Sequence, residues 1–411
     1  MDSSSTTGRT ILTVLGSALC GAAAYAGVQR LITNSSKSKQ DEPACDPETD
    51  YAYAHDKVWS CIGGALQASQ LYIGDRLKLY SVLREACAKP GSFITAVELT
   101  EQTGLNQRWL REWLAQQAAM GVLKLLPGSG DDDADLQYRL PRAMAEVLAN
   151  PESKEYDISM VATVPSLVNR AKTMLPEAFA TGIGRPYDDP EVAEAIDRQH
   201  QLEIRESVIP KVIPAANGGK ALEAMQKGCK VADLGCGAGN LVLACAKAFP
   251  NSTFHGYEVS EQALSVGATH MARSKQKNAI LIDANVNPLG AHENQYDVIT
   301  TFDVLHDAPN PEELIQQVRK ALKPNGVWIL GDIPAKDTLR ENIENNPKAR
   351  VYFAFSTCLC MSCSLSTKDG AGLGTLGFTV PVAKKMLNEA GFTKVKVMLE
   401  TPSVRWFEVM A

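Results

Sequence analysis

The run Val231-Ala-Asp-Leu-Gly-Cys-Gly-Ala-Gly-Asn240 constrains this chain more than any other stretch. An apolar segment ends in an acidic residue, glycines follow at alternate positions, and a helical pattern begins at about Leu241. Glycine at 235, 237 and 239 lets the backbone turn sharply and lets a ligand approach where a Cβ would collide. The helix behind the loop aims its free N–H groups and positive dipole end into the same crevice. This predicts a nucleotide-type cofactor loop after the first strand of a doubly wound sheet. A dinucleotide fingerprint, G-x-G-x-x-G, needs glycine at position 240 and meets Asn240. The spacing is instead D-x-G-x-G-x-G, led by Asp233.

Further strands follow in order. Asn251–Ser260 reads as a second strand carrying Glu258, whose carboxylate can accept two hydrogen bonds from vicinal ribose hydroxyls. Asn278–Asn285 reads as a third, with Asp283 at its tip, and Gln295–Asp303 as a fourth. Pro311–Leu322 is an amphipathic helix, ended by a turn at Lys323-Pro-Asn-Gly326. Val327–Asp332 is the fifth strand; Lys394–Leu399 and Arg405–Met410 close the chain as a hairpin.

The glycine pattern and the ordered acids resemble the class I S-adenosylmethionine-dependent methyltransferases. The resemblance implies an α/β, Rossmann-like seven-stranded sheet, doubly wound, with an antiparallel last hairpin. It implies that S-adenosylmethionine lies along Asp233, Gly235, Cys236, Gly237 and Gly239, where the glycines border the sulfonium and ribose. Glu258 and Val259 would hold the ribose, Asp283 and Ala284 the adenine, and Phe302 belongs to the family's fourth motif region. Val304-Leu-His-Asp-Ala308 stands directly after the fourth strand, where open α/β sheets place their ligands. In the plant-type small-molecule O-methyltransferases, a His-Asp pair here supplies the base that deprotonates the acceptor hydroxyl. His306 matches that base, and Asp307 would orient it or its loop. Histidine titrates near neutrality and suits the task. The alternative is a helix cap or loop-ordering role for His306, with Asp303 and Asp307 as helix-start acids.

Upstream, Leu71–Tyr80 begins a helix with apolar residues at helical spacing. Thr95 and Glu98 form a capping box, and Gln107–Gln116 carries an apolar face of Trp109, Leu110, Trp113 and Leu114. Gly121–Leu126 and Leu136–Leu140 flank the acidic turn Asp131–Asp135 as a hairpin wing. Helix-turn-helix plus wing is the winged-helix arrangement, so a mainly α-helical winged-helix N-terminal domain is expected. A nucleic-acid face should be basic, whereas the formal net charge is −6 and the wing tip is acidic. No nucleic-acid partner is expected. The related O-methyltransferases use this module for dimerisation and as a substrate lid, which implies a homodimer. The resemblance extends to Ile73-Gly-Asp-Arg-Leu77, to Phe302–Asp307 and to a late glycine-rich loop, Ser366–Gly377, bordering the site after a helical insertion at 336–365.

Residues 1–41 fit neither domain. Thr10–Val28 lacks charge and just reaches a membrane span, though Ala, Gly, Ser and Thr make it weakly hydrophobic. A signal anchor or organelle-targeting segment is expected, cytosol-facing if anchored, because the cofactor is made in the cytosol. The expected division is leader and linker at 1–41, winged-helix domain at 42–175, helical connector at 176–228 and methyltransferase domain at 229–411. Ten cysteines are scattered, and Cys360 and Cys363 form one C-x2-C pair without a second, so neither a metal site nor a disulfide framework is expected. A reducing compartment fits. The sequence therefore points to methyl transfer onto a small-molecule acceptor, with a hydroxyl expected because a histidine base is supplied for one. N- or S-methylation of a metabolite, and a winged-helix regulator of DNA or protein that binds the same cofactor, are the alternatives.

Overall fold

The computed structural model describes residues 49–127, 135–186 and 189–411. The expected leader span at 10–28 and the wing tip at 131–134 lie outside the described residues. Contacts divide the chain into two compact units, ending and starting at Ile73 and Gly74. The first contributes most of the helix Tyr51–Arg76. That helix starts twenty residues before the expected one and stops where Lys78 takes a positive φ of 57°.

In the second unit, Leu79–Ala86 buries Leu79, Tyr80 and Leu83. Gly74 is needed here, since a Cβ would lie 2.4 Å from the Tyr80 ring and 2.7 Å from Trp113. The helices Ala96–Thr103 and Gln107–Ala119 follow, the first opened by the Thr95–Glu98 capping box. Strands β1 (Lys124–Leu125) and β2 (Tyr138–Arg139) then pair antiparallel. The apolar face of the second helix is narrower than expected. Leu110, Trp113 and Leu114 are buried, whereas Trp109 is 79% exposed. Gln117, one turn on from Trp113, replaces it inside and accepts a 2.6 Å hydrogen bond from the Tyr80 hydroxyl. Trp109→Ala should therefore change stability by no more than about 0.5 kcal/mol in a denaturant melt.

The sheet comprises β3 (Lys230–Leu234), β4 (Thr253–Glu258), β5 (Ala279–Asp283), β6 (Tyr296–Phe302), β7 (Leu322–Asp332), β8 (Lys394–Glu400) and β9 (Arg405–Met410). Their order is β5-β4-β3-β6-β7-β9-β8, parallel except for the two pairs made by β9. Successive residues face opposite layers. Val231, Val298, Val327 and Ile329 enter one core cluster; Ala232, Ile299, Trp328 and Leu330 enter the other. Burial on both faces explains why these strands read as continuous apolar runs. The expected turn at Lys323–Gly326 sits inside β7 as a bulge: Tyr296 pairs with Leu322, and two residues later Val298 pairs with Val327. From β3 the chain runs first to one side and later to the other, so the crevice between β3 and β6 opens at their carboxyl ends.

Candidate active site

The glycine loop lies at that crevice. Gly235, Gly237 and Gly239 all adopt positive φ, at 73°, 54° and 81°. A Cβ on Gly235 would fall 2.5 Å from Val304 Cγ2, so the loop is pressed against the loop that carries His306. The helix Asn240–Ala248 starts immediately behind it. Cys236 is buried, burial pushes its thiol well up, and its sulfur fills the space a Cβ on Gly256 would need.

Glu258 organises this loop from the end of β4. Its Oε2 accepts the Gly237 N–H at 2.8 Å, and its Oε1 accepts the N–H groups of Val259 and Ser260, each at 2.9 Å. Three N–H donors leave a carboxylate with lone pairs to spare for hydroxyls. Asp283 stands directly across from Glu258 in the β4–β5 register and accepts from Asn285 N and Nδ2 at 2.9 and 3.0 Å. Val259 is exposed at this rim, and Ala284 donates its N–H to the Glu258 carbonyl at 2.9 Å. Asp233 turns away from solvent: it is buried, accepts a 2.6 Å hydrogen bond from Thr300, and burial pushes its carboxyl up to about 7.

Across the crevice, His306 is 2% exposed. Its Nδ1 lies 2.8 Å from Asp332 Oδ1, and Asp332 is itself 1% exposed at the end of β7. Asp332 therefore orients the ring; the sequence assigned that task to Asp307. Asp307 sits nearby as a carboxyl that burial pushes up to about 7. Burial alone would lower His306, but the charge of Asp332 and its hydrogen bond hold the imidazole well above its ordinary value. Asp303, the residue after β6, takes a left-handed φ of 65° that aspartate tolerates. Its Oδ2 lies 3.2 Å from His200 Nε2 and its buried Oδ1 lies 3.8 Å from His306 Nδ1. His200 stacks on Phe302 with centroids 4.1 Å apart, so Phe302 presents a face to the helix Pro190–Glu203.

The insertion closes this side. Its helices Leu339–Asn345 and Ala349–Phe355 lead into a π-helical turn, Ser356–Cys360, that brings the Cys360 thiol to the His306 ring. The late glycine loop is close-packed on the same loop. Gly374 donates to the His306 carbonyl and Ala371 to that of Pro309, both at 2.9 Å, and a Cβ on Gly374 would meet Ser356 Oγ at 2.3 Å. One donor atom each from His306, Asp307 and Cys360 lies within 4.8 Å of the others. Burial keeps that thiol protonated and Asp332 already engages the imidazole, so these groups fit a hydrogen-bonded cluster. The eight described cysteines are free thiols.

The helix Pro190–Glu203 falls within the helical connector expected at 176–228, but the sequence did not single out its residues for the site. Arg198 grips both carboxylate oxygens of Asp75 at 2.7 and 3.1 Å and reaches the Tyr156 hydroxyl; two residues on, His200 meets Asp303. These partners lie 42 to 123 residues away, so no local spacing announces them.

A family model described as a methyltransferase domain matches residues 225–396. Those residues, less than half of the chain, are thus similar to a methyltransferase domain. Among curated relatives, the ubiquinone biosynthesis O-methyltransferase of Actinobacillus pleuropneumoniae is 34% identical over 110 residues, covering 26% of this chain and 46% of its own. The chain thus spans under half the length of that relative. Among solved structures, human N-acetylserotonin methyltransferase in complex with S-adenosylmethionine superposes with a TM-score of 0.62 at 14% identity, covering 89% of this chain and 99% of its own. The mitomycin 7-O-methyltransferase gives 0.60 at 18% identity, with 87% and 98% covered. At these identities the likeness is one of fold: the methyltransferase sheet is preceded in both by the region that here forms the helical N-terminal half. No helix among the described residues is long and apolar enough to cross a membrane.

Proposed function

We propose that the chain transfers a methyl group from S-adenosylmethionine to a hydroxyl of a small molecule, with His306 as the general base. The observation that carries this reading is the buried His306–Asp332 pair set against the glycine loop through Val304. The fit of the cofactor rests on the chain's own groups. The glycines leave a cradle without side chains, Glu258 keeps acceptor capacity at its rim, and Asp303 Oδ1 and Asp332 Oδ2 are buried carboxylate oxygens without partners, a setting that favours a cation. S-adenosylmethionine, when bound, supplies a methyl group already activated on a positively charged sulfur. The protein then needs to position the acceptor and take its proton. Asp332 fixes the ring by Nδ1, and the Cys360 thiol also hydrogen-bonds to the imidazole, so the acceptor hydroxyl reaches Nε2 by taking the place of that thiol.

Incubation of the full chain with methyl-labelled cofactor and a metabolite extract tests the reaction. Label in an O-methyl product supports the reading, label on nitrogen or sulfur supports the N- or S-methyl alternative, and cofactor binding without any methylated product refutes both. Glu258→Gln tests the cofactor site. The amide would turn an NH2 toward backbone donors and lose the charge, so affinity measured by calorimetry should fall at least tenfold, the worth of one charged hydrogen bond of about 1.5–3 kcal/mol.

Pairing of two copies through the N-terminal half belongs to the same proposal. Val58, Ile62 and Leu66, with Trp59, stand exposed at helical spacing on Tyr51–Arg76. Light scattering on the full chain reads the oligomeric state directly. Membrane anchoring through residues 10–28 and a reducing compartment for the catalytic part complete the proposal, and fractionation of cells expressing the full chain tests them.

A further inference from the structure

We propose that Cys360 is itself a methyl acceptor, taking the group from S-adenosylmethionine onto its sulfur when no substrate occupies the site. The inference rests on the role of His306 given above, because whatever bonds to the ring nitrogen that Asp332 leaves open stands in the acceptor's place. That group is the Cys360 thiol. The residue is 8% exposed, and its sulfur lies within 4.8 Å of a ring nitrogen of His306 and of a carboxylate oxygen of Asp307. Cys360, His306 and Asp332 are thus a nucleophile, a base and the carboxylate that orients the base, the arrangement that activates a thiol. A seat for positive charge adjoins them. Asp332 is 1% exposed, and its Oδ2 and the buried Oδ1 of Asp303 meet no partner.

A second buried thiol shows what nearness to the glycine loop provides without a base. Cys236 belongs to that loop, but its S–H points to the Gly237 carbonyl at 3.7 Å, which cannot take a proton. The charges facing it are those of Asp233 and Glu258, and both oppose a thiolate. Cys360 differs in facing the imidazole. Burial pushes its thiol up, so it waits protonated until the base acts. The thiolate of such a thiol is correspondingly more nucleophilic. Its attack on a sulfonium turns opposite charges into uncharged groups, which a site shielded from water favours. The step balances. His306 Nε2 takes the thiol proton, and a lone pair of the Cys360 sulfur forms the bond to the methyl carbon. The bond from that carbon to the cofactor's sulfur breaks, and its electron pair stays on the cofactor as the sulfide of S-adenosylhomocysteine. Cys360 ends as a methyl thioether, and His306 releases its proton to solvent.

The full chain incubated with methyl-labelled S-adenosylmethionine and no acceptor, then digested and sequenced by mass spectrometry, tests this. Cys360 should carry the label, while Cys236, Cys358 and Cys363 remain thiols. His306→Gln removes the base and should slow the labelling by about tenfold or more. Methyl iodide gives a reading without the cofactor, since it brings the same group and needs no binding site. Cys360 should again react about tenfold or more slowly in His306→Gln, with Cys358 reacting at one rate in both chains. The wild-type labelling decides whether or not the variant folds. Calorimetry separates the two ways of failing. Cofactor bound with Cys360 still a free thiol overturns the proposal, whereas no binding overturns the methyltransferase reading on which it rests. Label spread evenly over the four cysteines overturns it too, as do equal rates at Cys360 in the wild type and a natively melting His306→Gln.

Discussion

His306→Gln should lower methyl transfer to a hydroxyl acceptor by about a hundredfold or more, with cofactor affinity unchanged, because a positioned base contributes roughly 10²–10⁴ in rate. Glutamine is the informative replacement. Alanine would strand Asp332 at 1% exposure without its partner, and removing one member of a buried pair destabilises by roughly 3–5 kcal/mol. Steady-state turnover beside calorimetric cofactor titration separates the two effects, and undiminished turnover in His306→Gln would end the base assignment. The pH profile gives a second reading. Because Asp332 holds the imidazole well above its ordinary value, the neutral, proton-accepting form grows as pH rises above neutrality. Turnover in the wild type should therefore climb on the alkaline side, and that limb should vanish in His306→Gln. Stability runs the other way. A histidine raised in the folded state stabilises fully below its unfolded value and loses that contribution as pH rises through the folded one. Activity and stability should thus part company on the alkaline side, which melts taken across the same pH range would show.

Gly235→Val should abolish measurable cofactor binding. Two effects combine at this position. A side chain in the left-handed region costs about 1–2 kcal/mol, more for a β-branched one, and the new Cβ would lie 2.5 Å from Val304 Cγ2. Something must move, and Val304 stands two residues before His306, so cofactor and base would be disturbed together. Val304→Ala in the same chain frees part of that space. The double variant should recover affinity relative to Gly235→Val, and the non-additivity measures the contact. Gly237→Ala is the contrasting case: φ is 54°, but no atom lies within 4 Å of the added Cβ. It should fold with only the backbone penalty, and equal losses of stability in the two glycine variants would refute the packing argument.

The central sheet was legible because its strands are buried on both faces and write their apolar character continuously, as in Val327–Leu330. The glycine loop and the acids Glu258 and Asp283 were legible because each is tied to the end of a strand. Trp109 misled because an apolar residue at helical spacing was counted with the buried face, whereas Gln117 fills that face through its bond to Tyr80. The partner of His306 was misplaced for a different reason. Asp307 is adjacent in the chain, but β6 and β7 run parallel side by side, and that neighbouring places Asp332 against the ring. His200 and Asp303 are 103 residues apart, and only the folded helix Pro190–Glu203 joins them.

That helix also decides how freely the front of the protein can be exchanged. Its two neighbouring grips face different parents: Arg198 holds Asp75 and Tyr156 from the region before it, while His200 holds Asp303 from the sheet behind. A chimaera that borrows residues 1–175 from another protein inherits the catalytic sheet intact, yet it seats His200 only if the graft brings a carboxylate at position 75 and a hydroxyl at position 156. Compatibility between front and back halves thus depends on side chains away from the chemistry, with Ser159 bonded to Gln199 and Arg205 to the carbonyls of Pro151 and Ser153 as further ties.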